Sequence, residues 1–549
     1  MKSKIRSRRF LEVTVAILLL SFLALNLYTL EVLPFPQPLS LYSYRFVVDE
    51  DGFTSVRINY RSNLPNGSSW VFVPKFLDWT NYTLNGEITE WSLNETRELL
   101  GDDYYFYNVL NFFFKSENSH KVFEINIQFN FTEAAMIIEP DGIFYSPMIG
   151  FDNENSKAEV EVILPSSFNI KGEEVAASGN SNYQPSYTNS NYVHFEGLSE
   201  GLLRVSVGFK TADKTPSLMT IEDGIFIFEA PHRYANYAQE ILSLFNKTYE
   251  DLVSVFNVTL QSAKIEFFLP EFSSIFSVGG YVPFTGTLGN IHINIFFTRY
   301  VEGYIEVIAI HELVHHFLWK AGLSPETFLW LHEGLAQYVS IEVVKRLEYE
   351  GATMMKQVLE DRVSQIIPHI RNNLGFLLHW TPSYQPQDWE VLYTAAYYVI
   401  SRLAETYGGL DYYTHFFKLI NGVAVSNNNV LGYYLSLAAG RSVVATLNSW
   451  GFNLVDLFAY STFISEVEEA VSNVNPIYQP YRFLAEQLFK QALISAEKNN
   501  ANDANRYLTL ALLIAKLAPL LTLITFAGFL FTIILYALKK SNVFSDETL

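Results

Sequence analysis

A chain of 549 residues is too long for one hydrophobic core, so two to four domains are expected, and its 49% hydrophobic and 16% aromatic content excludes general disorder. A net charge of -20 argues against nucleic acid as a partner, because phosphate backbones demand clustered Lys and Arg. The absence of cysteine excludes disulfides, thiolate metal sites and thiol catalysis, so any metal must be held by His, Asp or Glu.

Residues 1–12 form a tip carrying Lys2, Lys4, Arg6, Arg8 and Arg9, and an apolar run follows over 13–30. This fits a signal segment or an uncleaved membrane anchor; the anchor is favoured because no small-residue cleavage site follows. Residues 39–215 read as all β. Runs such as Tyr44–Val48 and Ser55–Tyr60 are rich in β-branched and aromatic residues, and Pro65-Asn66-Gly67 and Asp141-Gly142 punctuate them. A β-sandwich is expected. In Val122–Phe131, the apolar Phe123, Ile125, Ile127, Phe129 and Phe131 alternate with polar residues, which puts Asn130 on the solvent face of a strand.

Residues 220–460 change character. Ile225–Phe228, Lys264–Leu269 and Ile291–Phe297 read as strands, His232–Phe256 as a helix, and helices dominate from about Val301 to Trp450. Residues 475–516 look like a helical hairpin turning at Asn499–Asp503 and serving as a stalk. Residues 517–538 are apolar around every face and read as a transmembrane helix, followed by a tail over 539–549 that opens with Lys539 and Lys540. The fold class is thus α+β multidomain with transmembrane helices at both ends. Basic residues stay cytoplasmic, so the body is expected on the extracellular side of the cell membrane. Candidate glycosylation triplets at Asn66, Asn81, Asn94, Asn130, Asn246 and Asn257 agree with that side.

The chemistry sits in His311-Glu312-Leu313-Val314-His315, within a helix-like run from Gly303 to Ala321 that Gly322 ends. Histidines at i and i+4 project from one face and can meet at one tetrahedral ion. Glu312 is the next residue round the helix, a position that suits a carboxylate taking a proton from a water activated by the metal. A hydrolytic zinc site needs a third protein ligand, and Glu333 is the candidate. Ser324 can cap its helix, Pro325 suits the first position, and Gly322 with Leu323 allows a tight turn, so the two helices can pack antiparallel. Glu326, His316 and His332 compete for the ligand role. Gln337 follows Glu333 by one helical turn and is expected to orient a ligand histidine. The strand from Ile291 is read as a sheet edge able to pair with an extended peptide.

The paired motifs resemble the gluzincin metallopeptidases, the group holding thermolysin and the aminopeptidase N family. His315 and Glu333 are separated by 17 residues, one fewer than in that family, and Trp330-Leu331-His332-Glu333-Gly334-Leu335-Ala336 is similar to its Glu-bearing segment. Tyr393-Thr394-Ala395-Ala396 stands at the distance of the family's downstream Tyr, without its Lys-Gly, and Gly440–Trp450 is similar to its helical region. Gly286-Thr287-Leu288-Gly289-Asn290 lies where the family has its G-x-M-E-N strand. The resemblance covers roughly residues 220–450. It implies a thermolysin-like catalytic domain with one Zn2+ per chain, Tyr393 as donor to the oxyanion, and Gly289, Asn290 and Ile291 on the substrate strand. Gly289 stands where the family's amine-binding Glu would be, which implies an endopeptidase, with an aminopeptidase as the alternative. The expected partners are a peptide or protein substrate and the lipid bilayer. A catalytically inactive metal-binding protein, or a structural cell-surface glycoprotein, is the rival reading; the structural protein would have no reason to combine these residues.

Overall fold

The computed structural model describes residues 40–545, apart from 75–81, 96–106, 117–121, 300–302, 498–500 and single positions at 133, 154, 180, 200 and 276. The expected basic tip, the apolar run over 13–30 and Asn81 therefore lie outside the described residues.

The chain is mixed α and β, with a β-rich N-terminal part and a helical C-terminal region. Period-two alternation makes the β-rich part: Ser40–Val48, Thr54–Ser62 and Phe123–Phe131 each bury every second side chain. Their register stacks Tyr42 on Tyr60 and Ile58 on Ile127, so the buried faces coincide, while Asn130 opposite Ser55 points to solvent. The architecture is richer than the expected two-layer sandwich. Sheets of seven, five and three strands share one core, in which Phe46 and Ile58 of the first meet Phe144 and Val205 of the second and Phe72 and Phe112 of the third. Among the described sequon residues, Asn66, Asn94, Asn130 and Asn246 are exposed and Asn257 is half-buried.

A separate five-stranded sheet follows, in the order Leu218–Asp223, Phe226–Pro231, Ala263–Phe268, Ile291–Asn294, Gly280–Tyr281. Its three inner strands are parallel, and the helix Ala235–Phe256 makes the crossover between the first two of them. That helix buries Ile241, Leu242, Phe245, Leu252 and Phe256, a stripe at helical spacing, and ends where Asn257 turns left-handed at φ 54°.

Two expectations are overturned here. The strand that begins at Ile291 stops at Asn294 and passes into a 3-10 helix, Ile295–Arg299. It is also not the edge, since Ala263–Phe268 flanks it on one side and Gly280–Tyr281 on the other. The cause is the fully buried Asn294. Its amide donates to the carbonyls of Ile275 (2.8 Å) and Val278 (2.9 Å), and its Oδ1 accepts from the Phe296 N–H (3.0 Å). These bonds end the strand and hold the loop that carries the true edge across it.

Helices Tyr304–Lys320, Pro325–Lys345, Glu350–Ile370 and Trp389–Tyr407 pack on this sheet in one continuous core. At the C-terminal end, Tyr481–Glu497 lies antiparallel to the long helix Ala501–Ser545, with Ala485 and Ala492 buried against Leu508, Ala511, Ala515 and Ala518. Small residues at these positions let the two backbones approach closely. The long helix is the one described helix apolar enough and long enough to cross a membrane.

Candidate metal centre

The turn between the two motif helices builds the site. Helix Tyr304–Lys320 starts at Gly303, whose N–H donates to the Glu306 carboxylate (2.7 Å). Gly303 has φ 107° and lies so close to the Gly351 and Ala352 backbone that a Cβ would stand 3.0 Å from both nitrogens. The helix ends at Gly322, φ 88°, with the Leu323 N–H bonded back to the Leu318 carbonyl (3.1 Å). Ser324 then caps the next helix by accepting from the Glu326 N–H (3.3 Å), with Pro325 in the first turn. The chain therefore reverses in a few residues, and Glu333 is brought opposite the two histidines.

His311, His315 and Glu333 each offer one ligand atom, all within 4.8 Å of one another, and all three side chains are buried. Glu333 Oε2 is 3.2 Å from His311 Nε2 and 3.7 Å from His315 Nε2. Donor atoms around a tetrahedral zinc at about 2.05 Å lie about 3.3 Å apart, close to the two separations that Glu333 makes with the histidines. Protonation fits as well. Burial pushes His315 down to about 3, against the pull of Glu333, so it is neutral at pH 7 and keeps a lone pair to donate. Burial acts to raise Glu333, but His315, His311 and the Tyr393 hydroxyl outweigh it and hold it ionised. Burial acts to lower His311, but its hydrogen bond to Glu333 and the charge of Glu312 raise it overall. A cation that takes these ligands would replace the His311–Glu333 hydrogen bond.

Of the competing ligands, Glu326 is exposed at the start of its helix and His316 lies off the group; neither belongs to it. His332 has a different place. Its Nε2 is 3.0 Å from the Leu323 carbonyl, and its Nδ1 is 3.4 Å from Nδ1 of His315, with the rings stacked at 5.6 Å. A carbonyl only accepts, so His332 donates from Nε2. Burial pushes His332 down to about 4, so it is neutral and its Nδ1 must accept. His315 then donates from Nδ1, and its Nε2 lone pair faces Glu333. The tautomer of His315 is thus set by a chain that ends in the interhelical turn. That orienting role was expected of Gln337, whose side chain makes no hydrogen bond with a ligand histidine among the described residues. His332→Ala should lower zinc affinity by roughly 10–100-fold. Competition against a chelator measures it, and an unchanged affinity would remove His332 from the site.

No protein-family model matches this chain, and no curated protein does. Among solved structures it is similar to native yeast LTA4 hydrolase, at 14% identity over 83% of this chain and 76% of that one, with a TM-score of 0.30. It is also similar to Legionella pneumophila aminopeptidase A, solved with aspartic acid, at 13% identity over 76% of this chain and 50% of that one, also at 0.30. The chain thus spans half the length of the second protein.

Glu312 lies beside the triad. Burial, with Glu333 adding to it and His311 opposing, pushes its carboxyl up to about 8 in the metal-free chain. The segment that crosses over it is Gly279–Gly280. A Cβ on Gly280 would stand 2.9 Å from Glu312 Oε1 and 2.9 Å from the His292 carbonyl, so only glycine fits. The expected substrate-strand residues are placed otherwise. Gly289 closes a hairpin onto Pro283 (N–H to carbonyl, 2.8 Å), Asn290 reaches toward Glu266 (3.4 Å), and Ile291 is fully buried. Gly280–Tyr281, the outermost strand of the sheet, is the edge that borders Glu312, and sequence reasoning missed it. The double glycine at 279–280 was the available signal, since consecutive glycines mark close backbone approach.

Tyr393 stands at the start of the second turn of helix Trp389–Tyr407 with its hydroxyl hydrogen-bonded to Glu333. Burial, and then the charges of Glu333 and Glu312, hold its ionisation far above the usual range, so it is a permanent donor. Trp380 and Trp389 pack on its ring at 5.3 and 5.8 Å. Gly334 lets this helix approach: a Cβ there would lie 2.7 Å from the Ala396 carbonyl.

Proposed function

We propose that this chain is a membrane-anchored zinc metallopeptidase of the gluzincin type, acting on the outer side of the membrane. The observation that carries the reading is the buried His311–His315–Glu333 group with Glu312 and Tyr393 facing it. A zinc ion held by the three ligands supplies Lewis acidity, which makes a water reactive near neutral pH. Glu312 takes the proton of that water and delivers it to the leaving amine. Tyr393 donates to the oxygen that gains charge at the scissile carbonyl. His332 keeps His315 in the donating tautomer. The peptide adds to the sheet edge at Gly280–Tyr281, where glycine leaves the backbone accessible beside Glu312.

Val278-Gly279-Gly280-Tyr281-Val282 carries no carboxylate. An incoming α-ammonium would therefore miss a charge-assisted bond at this edge, which favours an endopeptidase. Lys539 and Lys540 after the apolar helix support a cytoplasmic tail, and the exposed sequon asparagines support an extracellular glycosylated body. The test is elemental analysis of the purified full chain together with digestion of a matched peptide pair, one free and one N-acetylated. One zinc per chain and internal cleavage of both peptides at similar rates are expected. Cleavage of the free form alone, at its first bond, would make it an aminopeptidase; a folded, metal-free and inactive protein would end the reading.

A further inference from the structure

The segment read as a hairpin stalk reaches down to the candidate span, where its first helix begins beside Thr525. The helix Ala501–Ser545 is exposed on every side only from Leu523 to Leu538, before Lys539 and Lys540. At about 1.5 Å per residue that stretch covers roughly 24 Å, against the roughly 30 Å of a hydrocarbon core. The core must reach back by about four more residues, to the level of Pro519. Other protein is packed on the helix there. Tyr481 and Thr525 join their hydroxyls at 2.6 Å, and Tyr478 and Tyr481 lie in the small core around Ala515 and Ala518. The body's own helix, Leu457–Ser472, meets the long helix higher up, where Lys516 pairs with Glu466 at 3.2 Å on an exposed face. Charge thus gives way to apolar contact within a few residues of the long helix.

The outward residues of the stalk segment change in the same sense. Ile477 is 73% exposed, Phe483 57% and Leu484 45%. Two turns beyond Phe483 and Leu484 the outward positions are Lys490 and Gln491, and the next apolar one, Ile494, is less exposed, at 41%. Three large apolar side chains in contact with water would be costly, at about 25 cal/mol per Å². At the depth of Thr525 they would face acyl chains instead. Tyr478 and Tyr481 beside them match the aromatic belt at a membrane interface. The charged pair at this level, Arg482 with Glu486 at 3.0 Å, satisfies itself, and an arginine stem can reach the headgroups.

We propose that Pro476 to Leu484 is a second membrane-contacting element, with Ile477, Phe483 and Leu484 in the outer acyl region of the bilayer beside the span. The catalytic body is then clamped to the membrane surface at two adjoining points rather than held on a free tether. This rests on the reading of 517–538 as a transmembrane helix, and the experiment separates the two. The chain has no cysteine, so single cysteines can be placed without background. Nitroxide labels at positions 477 and 483, at 529 in the span and at 490 as the aqueous reference report their surroundings in the full chain reconstituted in phosphatidylcholine vesicles. Accessibility to oxygen is compared with accessibility to a water-soluble nickel chelate. The expected oxygen-to-chelate ratio is several-fold higher at 477, 483 and 529 than at 490. Labels at 477 and 483 that behave like 490, with 529 lipid-exposed, overturn the clamp and leave the span standing. A water-exposed label at 529 overturns both.

Discussion

Glu312→Gln is expected to keep the fold and one zinc per chain while turnover falls by roughly 10²–10⁴-fold. The side chain is nearly isosteric and buried, so packing is preserved. Glutamine cannot accept a proton, and the loss should fall on kcat. The fold should not suffer, because burial already disfavours the charge on Glu312 in the metal-free chain and pushes its carboxyl up to about 8. The pH dependence has a definite sign. The base works only when ionised, so wild-type turnover rises with pH through the Glu312 pKa, and the charge of a bound cation draws that pKa below its metal-free value. The variant should lose this acid limb. Near-normal turnover with zinc retained would show that another group carries the proton.

The sequence made the helical part of the site legible because its signals are local. His311 and His315 share a face by spacing alone, and Gly322, Ser324 and Pro325 announce a tight turn that forces Glu333 back toward them. The features that were misread depend on contacts distant in the chain. Gly280–Tyr281 is a two-residue strand with no periodicity to detect; it is an edge only because Asn294 ties the preceding loop across Ile291–Asn294. The apolar run Ile291–Phe297 looks uniform, so the change to a 3-10 helix after Asn294 could not be read from hydrophobicity. Gly286–Asn290 has a motif-like spacing, yet it forms a hairpin with Pro283 and Phe284, and Phe284 packs on Trp319. His332 looked like a spare ligand because its partner, the Leu323 carbonyl, is supplied by the conformation of the turn. In the β-rich part, alternation identifies the buried faces, but it does not say whether two sheets or three will close over them.

Tyr393→Phe is expected to lower kcat by roughly 10²–10³-fold with little change in KM. Only the hydroxyl is removed, and the ring keeps its packing against Trp380 and Trp389. Two roles are open to that hydroxyl, and the measurement separates them. In the metal-free chain it hydrogen-bonds to Glu333, so it can act by orienting a ligand. A cation at the site also claims the Glu333 carboxylate, which leaves the hydroxyl able to donate to an oxyanion formed beside Glu312. Burial and the two carboxylates keep it protonated at every working pH, as a donor must be, and it cannot serve as the base. If the oxyanion role holds, zinc affinity stays within a few-fold of wild type and the loss appears in kcat. If the hydroxyl acts only through Glu333, zinc affinity falls, and excess zinc restores turnover. Unchanged kcat and unchanged affinity together would make Tyr393 a packing residue and remove it from the mechanism.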